Sequence, residues 1–173
     1  SRYLWWRYTE TLNWDDPLAL ALGGGLLLAE TYAWLVLILG FFQTINPLER
    51  KPVPLPKNTD LWPTVDVYIP TYNEPLSVVR PTTLAALSID WPADKLNVYI
   101  LDDGKRPEFK EFAEEIGVGY LARSDNNHAK AGNMNSAMRY TDGEYIAIFD
   151  CDHVPARSFL QMTMGQFLKD SNI

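Results

Sequence analysis

The chain has 173 residues, 47% of them hydrophobic, and 22 acidic against 15 basic side chains, for a net charge of -7. That length allows one domain, or one domain with an appendage, and the acidic balance without a dominant basic patch argues against nucleic acid as a partner. Cys151 is the sole cysteine, which rules out a disulfide framework and a thiolate metal cluster and leaves plain packing as its expected role.

Residues 1–16 carry Trp5, Trp6, Tyr8 and Trp14 and read as an interfacial aromatic belt at the end of a membrane segment. Residues 17–42 hold one charge, Glu30, and exceed the ~20 apolar residues needed to cross a bilayer. Asp15 and Asp16 suit the helix start, and Pro17 fits its first turn. Gly23, Gly24 and Gly25 would let neighbouring helices approach in a membrane bundle. Glu30 has two readings, a polar translocation path or a hydrogen bond to a neighbouring helix, and the second is the more ordinary. Arg50, Lys51 and Lys57 after the span, against Arg2 and Arg7 before it, lean towards a cytoplasmic carboxyl side. Residues 43–63 are proline-rich and read as an extended tether with Leu55, Leu61 and Trp62 as apolar anchors.

From residue 64 onward strands and helices alternate. Strands are expected at 65–69, 96–101, 118–121 and 145–149, and helices at 76–87, 107–116, 131–140 and 158–169. Phe109, Phe112, Ala113 and Ile116 recur at i, i+3, i+4, i+7, with Gly117 as the stop, and Met134, Ala137 and Met138 should face inward. Such alternation implies an α/β fold with a Rossmann-like parallel sheet and right-handed crossovers. The run 145–149 is unbroken and apolar, the pattern of a strand buried on both faces.

Polar clusters fall at the carboxyl ends of these strands: Thr71-Tyr72-Asn73-Glu74, Asp102-Asp103-Gly104 and Asp150-Cys151-Asp152. In a parallel sheet all three converge on one rim, where open α/β sheets bind ligands. Carboxylates one residue apart suit Mg²⁺ or Mn²⁺ held jointly with a substrate phosphate. Asn127 to Asn133 precedes a helix, and its Lys130 is a compact cation able to meet a diphosphate near a helix start, with Gly132 allowing close approach. A helix cap with an exposed lysine is the plainer account of that stretch. His128 and His153 lack metal-ligand spacing and read as hydrogen-bonding groups.

Four motifs in this order carry a family resemblance: Pro70-Thr71-Tyr72-Asn73-Glu74, Leu101-Asp102-Asp103-Gly104, His128-Ala129-Lys130-Ala131-Gly132-Asn133 and Phe149-Asp150-Cys151-Asp152-His153-Val154-Pro155. Together they resemble the processive family 2 glycosyltransferases, and Ile89 to Leu96 is most similar to the bacterial cellulose-synthase subfamily. The resemblance implies the donor half of a GT-A domain over residues 64–173, a partial domain preceded by a transmembrane helix in a multi-pass protein of the bacterial inner membrane. It implies UDP-glucose as donor, Mg²⁺ or Mn²⁺ as cofactor, and a β-1,4-glucan chain as product, extruded through the membrane.

It further implies that Tyr72 packs near the uracil, that Glu74, Asp102 and Asp103 serve nucleotide and donor-sugar recognition, and that Lys130 neutralises the diphosphate. Asp150 would help hold UDP and Asp152 would bind the metal, with Asp103, Asp150 and Asp152 the catalytic set. Membrane lipid, a periplasmic partner subunit, and cyclic di-GMP acting through a regulatory domain absent from this chain are the implied partners. The family's general-base and acceptor motifs are not among these residues, so the chain is expected to be a piece of a longer polypeptide, inactive alone. Rival readings are a hyaluronan, chitin or lipid-linked sugar transferase, a haloacid-dehalogenase-like phosphatase using Asp150 as nucleophile, and a non-enzymatic nucleotide-binding module.

Overall fold

The computed structural model describes residues 2–49 and 51–170, which fall into two compact units, Ser1–Arg50 and Lys51–Ile173. In the first, α1 (Arg2–Glu10) covers the segment expected only as an aromatic belt, and its Trp5 and Trp6 are exposed. The long helix α2 (Pro17–Thr44) runs two residues past the expected end. Asp16, not Asp15, caps it, accepting from the Leu18 and Ala19 N–H groups at 2.9 and 3.2 Å. Its mean hydropathy reaches 1.9 and most of its leucines and both phenylalanines are exposed, although Leu27 is buried, so it is long and apolar enough to cross a membrane. Glu30 accepts from Arg7 of α1 at 2.7 Å, so among its two readings the bond to a neighbouring helix is the one observed. A Cβ on Gly24 or Gly25 would meet nothing within 4 Å among the described residues.

The second unit is a four-stranded parallel sheet in the order β3-β2-β1-β4. Strand β1 (Val65–Thr71) lies between β2 (Leu96–Asp102) and β4 (Tyr145–Ile148), and every one of its residues is buried. Strand β3 (Gly119–Leu121) pairs with β2. The helices α3 (Leu76–Leu87), α4 (Pro107–Ile116) and α6 (Phe159–Lys169) cover one face, around Val67, Ile69, Ile100, Phe109 and Leu160. Helix α5 (Ala129–Ala137) covers the other, against Tyr68 and Leu101. Burying a side chain of this size contributes about 1.5–3 kcal/mol, so the two layers fix the sheet and thereby the rim.

Several expectations shift. Strand β4 ends at Ile148 and is an edge among the described residues, pairing only with β1 and leaving Ile148 47% exposed. None of its four residues is buried, so the expectation of a strand buried on both faces fails. Helix α5 starts and ends earlier than 131–140: Gly132 N–H already donates to His128 O at 3.0 Å despite left-handed φ values of 60° and 44° at His128 and Ala129, and the last turn tightens through Arg139 N–H to Ser136 O. Met138 therefore points outward, 49% exposed, while Ala137 is buried.

The proline-rich stretch is docked. Trp62 stacks on Trp91 with ring centroids 4.5 Å apart, Leu55 packs on the core, and Lys95 Nζ donates to the carbonyls of Thr59, Asp60 and Trp62. A short 3-10 turn, Thr59–Leu61, interrupts it, and Leu61 is not an anchor, being 64% exposed.

Candidate active site

The register Thr71↔Asp102 brings the carboxyl ends of β1 and β2 level, and β4 ends beside them. Above them lies a cavity of about 470 Å³ whose walls include Tyr72, Glu74, Asp103, Lys130, Asp150 and Asp152. Six of the sequence-predicted side chains thus meet in one place. Asp102 does not line that cavity.

Asp102 and Asp103 are neighbours with different environments. Asp102 has no exposed surface, and its carboxylate accepts from the Gly104 and Arg106 N–H groups, the Arg106 guanidinium and the Tyr120 hydroxyl. Arg106 in turn donates to the Thr71 hydroxyl and the Glu74 carbonyl and lies 3.6 Å over the Phe109 ring. This network ties the loop after β1 to the loop after β2. Burial first, and then the Asp102 carboxylate, push the Tyr120 hydroxyl up to about 12. Asp103 is 7% exposed on the cavity wall, and Arg123 grips it with Nε and Nη2, each 2.7 Å from a carboxylate oxygen.

Glu74 folds back on its own turn, accepting from the Tyr72 N–H and the Thr71 hydroxyl at 2.9 Å each. The Tyr72 N–H, with smaller help from other donors and against burial, holds its carboxyl below the usual range. That bonding presents Tyr72, 53% exposed, along the cavity.

Also lining the cavity, Lys130 pairs with Asp150, and both side chains are about half exposed, at 48% and 47%. Asp152 is 66% exposed, and His153 stands 3.8 Å from each of the two carboxylates through different ring nitrogens. Cys151 lies between them, buried, and burial raises its thiol above the ordinary value. Among the described residues no cluster of three or more His, Cys, Asp or Glu side chains could enclose a metal by itself. Exposed Asp152, with Asp150 beside it in its pair with Lys130, fits Mg²⁺ or Mn²⁺, which commonly bind through one or two carboxylates plus substrate phosphates and keep several waters. A Cβ on Gly132 would lie 2.0 Å from Asn127 O, so the close approach expected there is made by the chain's own backbone.

Sequence reasoning missed Arg106 and Arg123, and it gave no role to Asn133 of the third motif, whose amide holds α5 to the end of β2 through Leu101 O at 2.9 Å. The signal for Arg123 was available. It follows β3 at the same rim as the other strand ends.

This is a GT-A-type layout, a parallel sheet whose carboxyl rim gathers an acidic pair and a cation around one cavity. The chain belongs to glycosyl transferase family 2, whose profile matches residues 66–173. It is 58% identical to the UDP-forming cellulose synthase catalytic subunit of Xanthomonas axonopodis pv. citri (strain 306), over 99% of this chain and 24% of that protein. It is 61% identical to the UDP-forming cellulose synthase 1 catalytic subunit of Komagataeibacter xylinus, over 99% of this chain and 23% of that one. The chain therefore spans about a quarter of the length of these curated relatives.

Among solved structures, a mannosyltransferase from Pyrobaculum calidifontis in complex with GDP-Man and Mn²⁺ superposes with a TM-score of 0.60 at 25% identity, over 81% of this chain and 42% of its own. The glucosyl-3-phosphoglycerate synthase of Mycobacterium tuberculosis, with a TM-score of 0.54 at 19% identity over 66% of this chain and 44% of its own, shares the fold. Family membership replaces the phosphatase reading of Asp150.

Proposed function

We propose that this chain is the donor-binding part of a UDP-forming cellulose synthase catalytic subunit, which transfers glucose from UDP-glucose to a growing β-1,4-glucan with inversion. The observation that carries the reading is the cavity lined by Tyr72, Asp103, Asp152 and the Lys130–Asp150 pair. Identity of 58–61% to cellulose synthases supports glucose over the hyaluronan, chitin and lipid-linked alternatives.

Asp152, with Asp150 beside it, would hold Mg²⁺ or Mn²⁺, and the neighbour solved with GDP-Man and Mn²⁺ supports a divalent ion. When bound, that ion supplies positive charge to the leaving diphosphate. Lys130 donates to the diphosphate from the start of α5, leaving Asp150 as it does so. Tyr72 offers its exposed ring to the base, and Asp103, fixed by Arg123, faces the donor sugar. Asp102 acts through Arg106, setting the Tyr72–Glu74 turn, and does not touch the nucleotide. None of these residues is assigned as the base that deprotonates the acceptor hydroxyl.

On the same reading α2 crosses the bacterial inner membrane in a multi-pass protein and the sheet unit is cytosolic, where UDP-sugars are made. The glucan, a periplasmic subunit and cyclic di-GMP would engage other parts of that protein.

The test is synthesis by the full-length protein in lipid vesicles from radiolabelled UDP-glucose with Mg²⁺ or Mn²⁺. The expected product is cellulase-sensitive polymer that disappears with chelator. Polymer from UDP-N-acetylglucosamine instead, or a product that resists cellulase, would overturn the donor and product assignments.

A further inference from the structure

We propose that Arg123 is the positioning residue of the donor site, a brace that locks Asp103 to the loop delivering Lys130; this rests on the donor-binding reading above. The Arg123 side chain is 8% exposed and the Asp103 side chain 7%. Its guanidinium meets both Asp103 oxygens at 2.7 Å, the Asn127 carbonyl at 2.6 Å and the Ala129 carbonyl at 2.9 Å. One planar group therefore joins the loop after β2 to the stretch that leads into α5. Asn126 adds a second link, donating from its amide to Asp103 O at 3.1 Å.

That stretch needs a brace. His128 and Ala129 hold φ values of 60° and 44°, conformations that residues with a Cβ keep only when their surroundings fix them. The two carbonyls that Arg123 grips belong to Ala129 and to Asn127, on either side of His128, and Lys130 follows directly. The Arg123 contacts thus set where the Lys130 backbone begins, and so how its ammonium meets Asp150 or an incoming diphosphate. Gly132 completes the fit, because a Cβ there would fall 2.6 Å from Arg123 Nη1 as well as against Asn127 O.

A lysine cannot replace this geometry. Its ammonium brings the same charge as a single point, whereas the fork reaches two carboxylate oxygens and two carbonyls in one plane. The charge alone is not what the site uses.

The experiment takes full-length protein and measures UDP affinity with Mn²⁺ by calorimetry, donor KM and kcat, and backbone hydrogen exchange, for wild type, Arg123→Lys and Gly132→Ala. The second variant keeps the guanidinium and disturbs its seat. Both are expected to bind UDP about 10- to 100-fold more weakly, the cost of an ångström-scale misplacement. Donor KM should rise in step, and exchange should quicken across 124–130 with α4 unchanged. Wild-type UDP affinity in Arg123→Lys, or in Gly132→Ala should the lysine variant fail to fold, overturns the proposal. Absence of UDP binding by the wild type would defeat the donor-site reading instead, and faster exchange in the variants would still report the brace.

Discussion

Replacing Asp102 with Asn separates a structural carboxylate from a ligand-binding one. The wild-type group accepts from Gly104 N–H at 2.9 Å, Arg106 N–H at 2.7 Å, Arg106 Nε and Nη2 at 3.1 and 2.9 Å, and the Tyr120 hydroxyl at 3.0 Å. An amide has one acceptor oxygen, and its NH₂ would face N–H donors. Removing one partner of a buried ion pair costs about 3–5 kcal/mol. Arg106 keeps 19% of its side chain exposed and retains Thr71 and Glu74 as partners, which places the expected loss near the lower end, about 3 kcal/mol. Denaturant unfolding of the full-length protein, followed through the emission of the Trp62–Trp91 pair, reads this loss. UDP affinity of the fraction still folded should fall less than about 10-fold, because Asp102 reaches the cavity only through Arg106. Unchanged stability together with abolished UDP binding would refute the reasoning and return Asp102 to direct ligand contact.

Asp152→Asn should remove metal-supported UDP binding and polymer synthesis while leaving unfolding unchanged, since the side chain is 66% exposed; near-normal synthesis would take it out of the metal site. Glu74 has a lowered pKa, so its charged form stabilises the turn above the ordinary carboxyl value of about 4.3, and that contribution is lost as pH falls through the lowered value. Glu74→Gln should therefore be less stable than wild type by roughly 1 kcal/mol at neutral pH, with the gap closing in acid, and a pH-independent gap would count against it. In Gly165→Val the new Cβ would lie 1.9 Å from Val53 O, so the docked proline-rich stretch must lift off α6; protease cleavage within 51–62 should speed up, and an unchanged digest would contradict the contact. A cysteine in place of Lys57 should resist a membrane-impermeant thiol reagent in intact cells, and ready labelling would reverse the proposed orientation.

Much of the rim was legible because parallel-sheet topology is. Three apolar runs each ending in polar residues are enough to predict convergence, and β1, buried along its whole length between two partners, shows why such runs read clearly. The division of labour between Asp102 and Asp103 was not legible. The two are chemically identical, and only the register that places Asp102 opposite Thr71 sends one carboxylate inward to Arg106 and the other to the cavity wall. The start of α5 was not legible because His128 and Ala129 take left-handed φ values unusual for residues with a Cβ, in a stretch whose Asn127 and Ala129 carbonyls bond to Arg123 from another segment. Strand β4 misled on burial: its apolar run suggested a strand covered on both faces, whereas as an edge among the described residues it keeps all four residues partly or fully exposed.

The charges around the cavity explain how a chain of net charge -7 can serve an anionic ligand. Its walls carry the carboxylates of Glu74, Asp103, Asp150 and Asp152 and the ammonium of Lys130. Arg106 lies spent on buried Asp102, and Arg123 cancels Asp103. With Arg123 counted, the walls remain two charges negative, and Lys130 itself is engaged by Asp150. A diphosphate entering such a site would meet repulsion that one lysine cannot offset, because like unit charges about 4 Å apart near a protein surface repel by several kcal/mol per pair. On the proposed reading, a divalent cation beside Asp150 and Asp152 would restore neutrality to the walls and free Lys130 for the phosphates. On the donor-site proposal this charge balance predicts that the ion is needed for nucleotide binding as well as for transfer, so Asp152→Asn is expected to weaken UDP binding before any chemistry begins.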